Sequence, residues 1–230
     1  MGSLVVPVCI LLAYEAVLGE RVYNVTGVAS VYSLVPVCAV LSAVLGALRG
    51  SEGIMADRQC GLLSRMWVLP VHRASAFTGR LTAEAVRALF GTILITTLGM
   101  AMGLRFTHGW FAALLYILIP PIVVAGFTAV VMALAVRSNA RTAMTLLATV
   151  TVSLAFVNPG ITPIGLFPNW LQRLVLLQPM SPPIGVMRAL AHGGPLVWPL
   201  AMTFIWAIVL TGAFIPLAVR AYRIAAESGA

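Results

Sequence analysis

The sequence predicts an all-α integral membrane protein: six transmembrane helices, an amphipathic cytoplasmic helix between the second and third, and short re-entrant helices between the fifth and sixth. Three observations predict it. Hydrophobic residues make up 61% of the 230 residues and charged residues 9%, with a mean hydropathy of +1.04, whereas soluble domains carry about 25% charged residues. Six apolar runs reach or approach the roughly 20 residues that cross a hydrocarbon core of about 30 Å. The one long polar interval, 49 to 80, holds Arg49, Arg58, Arg65, Arg73 and Arg80. No tandem repeat, low-complexity tract or soluble domain interrupts the chain, so residues 1–230 read as a single transmembrane domain.

The first run, Ser3 to Gly19, has no basic segment before it, so a cleaved signal peptide is not expected. It contains Glu15, the one carboxylate well within a span. An acid at membrane depth is a candidate functional residue because burying its charge is costly. The plainer reading, favoured here, is that it lies close enough to the outer end to reach interfacial water or an arginine. The second run is Val31 to Leu48. After it, Met55 to Leu69 plots at 100° per residue as a two-faced helix, stopped by Pro70. Met55, Ala56, Cys60, Leu62, Leu63, Met66, Trp67 and Leu69 fall on one half, and Asp57, Arg58, Gly61, Ser64 and Arg65 on the other. A basic amphipathic helix between two spans lies along the membrane surface, its polar half free to meet a cytosolic partner.

The third run, Leu81 to Leu104, carries Glu84 and Arg87 three residues apart, close enough to pair on one helix face. The fourth, Trp110 to Val136, should kink at Pro120-Pro121. The fifth, Thr142 to Val157, breaks at Asn158-Pro159. From there to Pro195 the chain holds Pro159, Pro163, Pro168, Pro179, Pro182, Pro183 and Pro195, yet stays apolar between them. One straight helix could not carry these prolines, and a water-exposed loop would be more polar. Two or three short helices dipping into the outer leaflet fit, with Trp170 at the interface. The sixth run, Leu196 to Val219, ends in Arg220 and Arg223.

Charge distribution sets the expected orientation. Every cation is arginine, and the arginines sit at the ends of apolar runs, which points to topology rather than to nucleic acid as a partner of the +8 charge. Placing the 49–80 interval inside leaves only Arg21, Arg105, Arg173 and Arg188 outside, so both termini are expected in the cytoplasm. His72, His108 and His192 lie on different segments, and Cys9, Cys38 and Cys60 are scattered, so no metal or disulfide framework follows. Asn24-Val25-Thr26 is a glycosylation sequon by pattern alone. No serine-histidine-acid set, HExxH or GxxxxGK[ST] phosphate loop is present. The chain therefore reads as a non-enzyme without a cofactor of its own, and transport driven by ATP would require the engine on another chain.

The segment from Ala56 to Ser75, with its Asp57-Arg58-x-x-Gly61-Leu62-Leu63 opening and Leu69-Pro70-Val71-x-Arg73, resembles the loop between the second and third spans of ABC-2 type permeases. It is most similar to the daunorubicin-resistance type of actinobacterial drug or lipid exporters. Phe167-Pro168-Asn169-Trp170-Leu171, Gln178-Pro179 and Arg188 similarly resemble that family's re-entrant region. The resemblance covers essentially the whole chain.

It implies a permease half in the plasma membrane of a bacterium, moving a hydrophobic or amphipathic compound such as an antibiotic or lipid outward. Two such halves, identical or different, would pair through their first and fifth spans among the membrane lipids, each docking a separate cytosolic ABC ATPase that binds the ATP. The same resemblance assigns ATPase coupling to Asp57, Arg58, Gly61 and Arg65, with Leu63 and Trp67 as the membrane-facing side, and the re-entrant region to Pro168, Trp170, Pro179 and Arg188. It also implies a cytoplasmic amphipathic helix ahead of the first span, where this sequence has almost nothing before Leu4. Two other classes compete: an ion-coupled secondary efflux transporter, for which only Glu15 offers an intramembrane ion site, and a non-transporting assembly subunit.

Overall fold

A computed structural model describes residues 8–13, 15–17, 29–60, 74–107, 109–136, 139–162 and 164–227, with the backbone alone for 58–59, 74–77, 166 and 222–227. Among these residues the regular elements are all helical. They are α1 (Val31–Gln59), α2 (Ala74–Ala101), α3 (Gly109–Ala135), α4 (Ala140–Phe156), a 3-10 turn (Ile164–Leu166), α5 (Asn169–Leu177), α6 (Ser181–His192) and α7 (Val197–Glu227). Ahead of them lies a short apolar helical stretch, Val8–Val17, in which Tyr14 falls outside the described residues.

Among the described residues, four helices are long and apolar enough to cross a membrane: α1, α2, α3 and α7. Within the same residues the first and fifth apolar runs show the shorter helical stretches Val8–Val17 and Ala140–Phe156. Helical structure satisfies each backbone polar group within its own segment, which hydrocarbon demands. Pro120 and Pro121 lie inside α3, which continues through them from Gly109 to Ala135.

The buried axis of the bundle is α1. In its most apolar stretch 89% of the residues are buried, against 11% for α7. A helix apolar all round belongs in an interior, and α1 packs against α2, α3, α4 and α6. α3 is its partner at the centre and also carries α7, where Gly126 lets the backbone of Ala207 approach. The outer faces of α4 and α7 leave Leu146, Val150, Phe204, Ile205, Ile208 and Val209 exposed.

Two packed clusters divide the bundle along this axis. One joins the first half of α1 (Leu34, Val35, Cys38, Leu41) to Tyr116 and Ile119 of α3 and Ile184, Met187 and Leu190 of α6, and Leu11 is fully buried in it. The other gathers Leu48 and Ile54 of α1, Val131, Met132 and Ala135 of α3, Met144 of α4 and Ala218 of α7. These clusters mark what we term the elbow end and the loop end, the latter holding the C-terminus of α1 and the N-terminus of α2.

Two sequence expectations change here. The second span does not stop at Leu48: α1 runs unbroken through Gly50-Ser51-Glu52-Gly53 to Gln59, so Met55 to Gln59, expected to open a separate surface helix, are the last turns of α1. Two glycines within four residues argue for a break, but tertiary contacts on this stretch override that local preference. Ile54 is buried in the loop-end cluster, Ser51 is buried with its hydroxyl donating to the Leu48 carbonyl at 2.5 Å, and the glycines face α2. The remainder of the expected amphipathic helix, 61–69, lies outside the described residues.

Candidate functional site

At the loop end the charges are built on glycine spacing. Gly46, Gly50 and Gly53 stand four and three residues apart on α1, one helical face, and oppose Arg87, Glu84 and Arg80 of α2 in reverse order, as antiparallel helices require. A Cβ at Gly50 would overlap the Glu84 carboxylate, so the acid occupies the space that a side chain would fill. Arg87 Nη1 donates to both Glu84 oxygens, at 2.7 and 2.9 Å. One turn beyond, Arg80 pairs with Asp57. Both members of that pair are about one-third exposed, so the pair adds little net stability; its effect is to fix the register of the two helices.

Asp57 is thus not free to meet a partner alone, as the amphipathic reading expected, because its carboxylate is engaged by Arg80. The backbone of Arg58 continues α1. Gly61, Leu63, Arg65 and Trp67, the rest of the coupling set, lie outside the described residues. The Glu84–Arg87 pair forms as the spacing expected. What sequence reading missed is the opposing face: the signal was available as Gly46, Gly50 and Gly53 with Arg80, Glu84 and Arg87 at matching intervals, but nothing in one strand of sequence says that two such faces meet.

The elbow end is a different construction. α4 stops at Phe156, and the chain turns through 157–168 into α5, then reverses at Gln178-Pro179-Met180 into α6. Each break frees backbone groups that would be costly at membrane depth. A compact side-chain network takes them up. The Gln178 amide donates to the Val157 carbonyl at 2.8 Å and to the Ser181 hydroxyl at 2.8 Å. Ser181 in turn donates to the Val175 carbonyl at 2.5 Å. Asn158, fully buried, donates to Ser181 at 3.2 Å and accepts from the Gly160 amide at 2.9 Å. Trp206 of α7 reaches the Leu177 carbonyl at 2.9 Å. Gly160 fits because the elbow presses against α1 and α6: a Cβ there would overlap Val37 and crowd Ile184.

The re-entrant residues named from sequence occupy distinct places on this elbow. Pro168 caps the start of α5, and Pro179 forms the α5–α6 turn. Trp170 is 69% exposed on the first turn of α5, as an interfacial anchor would be. Arg188, on the second turn of α6, is half-buried and donates to the Pro159 carbonyl at 3.2 Å. Burial lowers its pKa from the usual arginine value, and a guanidinium keeps its charge regardless. Among the described residues Glu15 meets the Ser30 hydroxyl, immediately before α1, which lies 2.6 and 2.7 Å from its two oxygens. The acid therefore sits at the positive end of the α1 dipole, a stabilising position. Among the described residues no group of histidine, cysteine and acid side chains gathers in a way that could hold a metal.

A scan of protein families matches residues 18–220 to the ABC-2 family transporter protein. The chain is 34% identical over 220 residues, covering 95% of it and 80% of the relative, to the probable doxorubicin resistance ABC transporter permease protein DrrC of Mycobacterium tuberculosis (strain H37Rv). It is 24% identical over 196 residues, 82% of this chain and 67% of the relative, to the daunorubicin resistance ABC transporter permease protein DrrB1 of Streptomyces coeruleorubidus. No solved structure matches the chain. An all-helical membrane architecture and a family match over most of its length agree: the chain belongs to the ABC-2 family of transporter proteins, as a membrane permease.

Proposed function

We propose that this permease works as one membrane half of an ATP-driven exporter, paired with a second permease half and served by a cytosolic ATPase subunit that docks at the loop end. The observation that carries the reading is the seating of charges on both sides of residues 61–73: Asp57–Arg80 ties the helix entering that segment to the helix leaving it, and Glu84, paired with Arg87 on its own helix, seats against Gly50 of α1. A push on 61–73 then moves α1 and α2 together rather than bending one of them, and α1 contacts four other helices of the bundle. Residues Arg58, Gly61 and Arg65 present the docking surface, with Leu63 and Trp67 toward the membrane, while Asp57 holds the base of the loop through Arg80.

Closure of the ATPase dimer shifts the permease pair between inward-open and outward-open states, and the loop end matters to the extent that its contacts differ between them. The loop end faces the cytoplasm in this reading, as do both termini. The exposed apolar face of α4 and the Val8–Val17 stretch supply the contact between permease halves. The named relatives are permeases of doxorubicin and daunorubicin resistance, and an apolar or amphipathic compound is the cargo class we assign here.

The test is ATP-dependent efflux from cells carrying the chain with its ATPase and partner permease. Asp57→Arg and Arg65→Glu should each reduce efflux at least several-fold without loss of membrane-inserted protein, and the exchange Asp57→Arg with Arg80→Asp should restore most of what Asp57→Arg alone removes. Unchanged efflux in both single variants would sink the coupling role, and efflux that persists without any ATPase would move the chain to the ion-coupled class.

A further inference from the structure

The elbow end encloses a cleft of about 370 Å³ between α1, the turn after α4, α5, α6 and α7. Its walls are mostly apolar, from Ile161, Ile164, Leu176, Trp198 and Pro199, and Arg188 is the charged residue that lines it. Among the described residues the Arg188 guanidinium has one hydrogen bond, to the Pro159 carbonyl, and no carboxylate within ion-pair distance. A guanidinium has five N–H donors, and a half-buried charge without a counter-ion is costly. The chain is poor in ways to offset it: from 85 to 226 it contains no Asp or Glu at all. Glu15, the described acid at this end, is held at the start of α1 by Ser30 and does not line the cleft.

Three helices also begin at this cleft. Ser33 lies in the first turn of α1, Ser181 and Pro182 in that of α6, and Trp198 and Pro199 in that of α7. Each N-terminus carries partial positive charge, so their fields add to that of Arg188.

We propose that the elbow cleft is a binding site for an amphipathic anion, its phosphate or carboxylate head paired with Arg188 and its apolar portion laid along Trp198, Leu176 and Ile161. The volume is within the usual range for small-ligand sites, about 300–1,000 Å³, and admits a head group with part of a chain. Ser33 and the α1 dipole lie about 36 Å along the helix from Asp57, taking 1.5 Å per residue, so the site is a membrane thickness away from the loop end and distinct from ATPase docking. Head groups of this chemistry come from two sources, a phospholipid or a free amphipathic compound, and the measurement separates them.

The test uses the full chain in a neutral detergent, without ATPase or efflux, so its result is independent of the exporter reading. Dodecyl phosphate is titrated with thermal stabilisation as the readout, and retention of phosphatidylglycerol against phosphatidylcholine is followed by native mass spectrometry. Wild type should bind at least one probe saturably, and Arg188→Gln should weaken that binding about tenfold or more, while Arg188→Lys retains most of it. Gly185→Leu keeps the charge but fills the cleft beside Pro199, and should also weaken binding while the variant stays monodisperse. Binding of phosphatidylglycerol alone assigns the site to a lipid head group, and binding of dodecyl phosphate alone to a free amphipath. Binding of neither probe, or equal binding by wild type, Arg188→Gln and Gly185→Leu, overturns the proposal.

Discussion

Single residues carry unusual weight in this chain because charged residues make up only 9% of it. Gly50 is the clearest case. Its missing side chain is the space that the Glu84 carboxylate occupies, so Gly50→Leu should expel Glu84 from its seat, part α1 from α2 and cost on the order of 1–3 kcal/mol, the usual range for overpacking. The check is a lowered melting temperature of the detergent-solubilised protein together with impaired efflux; a variant as stable as wild type would show that Glu84 has another place to go. Asn158 is a second case. Asn158→Ala leaves the Gly160 amide without its acceptor in a fully buried site, and an orphaned buried group costs about 1–3 kcal/mol. Asp57 was legible in the sequence as a polar-face residue of the 49–80 interval, but its partner was not: Arg80 is 23 positions away, and a spacing argument reaches only three or four residues along one helix.

At the scale of the element, α1 and the elbow show opposite balances between local and tertiary forces. Gly50 and Gly53 disfavour helix locally, yet α1 passes through them because that glycine face is what admits the charged side chains of α2. The sequence reading ended this span early, at Leu48, because it weighed propensity and hydropathy and could not see the opposing face. At the elbow the prolines correctly predicted short helices, and the three pieces at Ile164–Leu166, Asn169–Leu177 and Ser181–His192 follow them. What holds those pieces together was not visible. Gln178-Pro179 stands out in sequence as part of the family's re-entrant pattern, but the pattern does not show that the Gln178 amide bridges the end of α4 and the start of α6. Gln178→Leu should therefore destabilise the elbow more than Gln172→Leu, whose amide bonds only within its own neighbourhood at Phe167 and Asn169. Hydrogen exchange across 157–181 would read this, with faster exchange expected for Gln178→Leu and near-wild-type exchange for Gln172→Leu.

For the whole molecule, the distribution of charge predicts which end faces which compartment. Among the described residues both ion pairs lie at the loop end, and the positive-inside pattern predicts that this end faces the cytoplasm. Cys60, exposed at the end of α1, offers a native probe, with the buried Cys38 as an internal control. In a Cys9→Ser background, a membrane-impermeant maleimide should label Cys60 in inside-out vesicles and not in intact cells, and the reverse pattern would invert the proposed topology. Composition and hydropathy by themselves determined that this is a helical membrane protein and that the chain breaks into short helices among the 158–195 prolines, because those properties are local sums along one chain. The resemblance of two short segments was enough to place it among ABC-2 permeases, a placement that the family match bears out. Only the tertiary structure decided that α1 is the buried axis, that Asp57 answers to Arg80, and that Arg188 looks into a cleft with no acid among its described lining residues. Each of those depends on which helix faces meet, and the packing of distant segments sets that choice where no periodicity within one segment can.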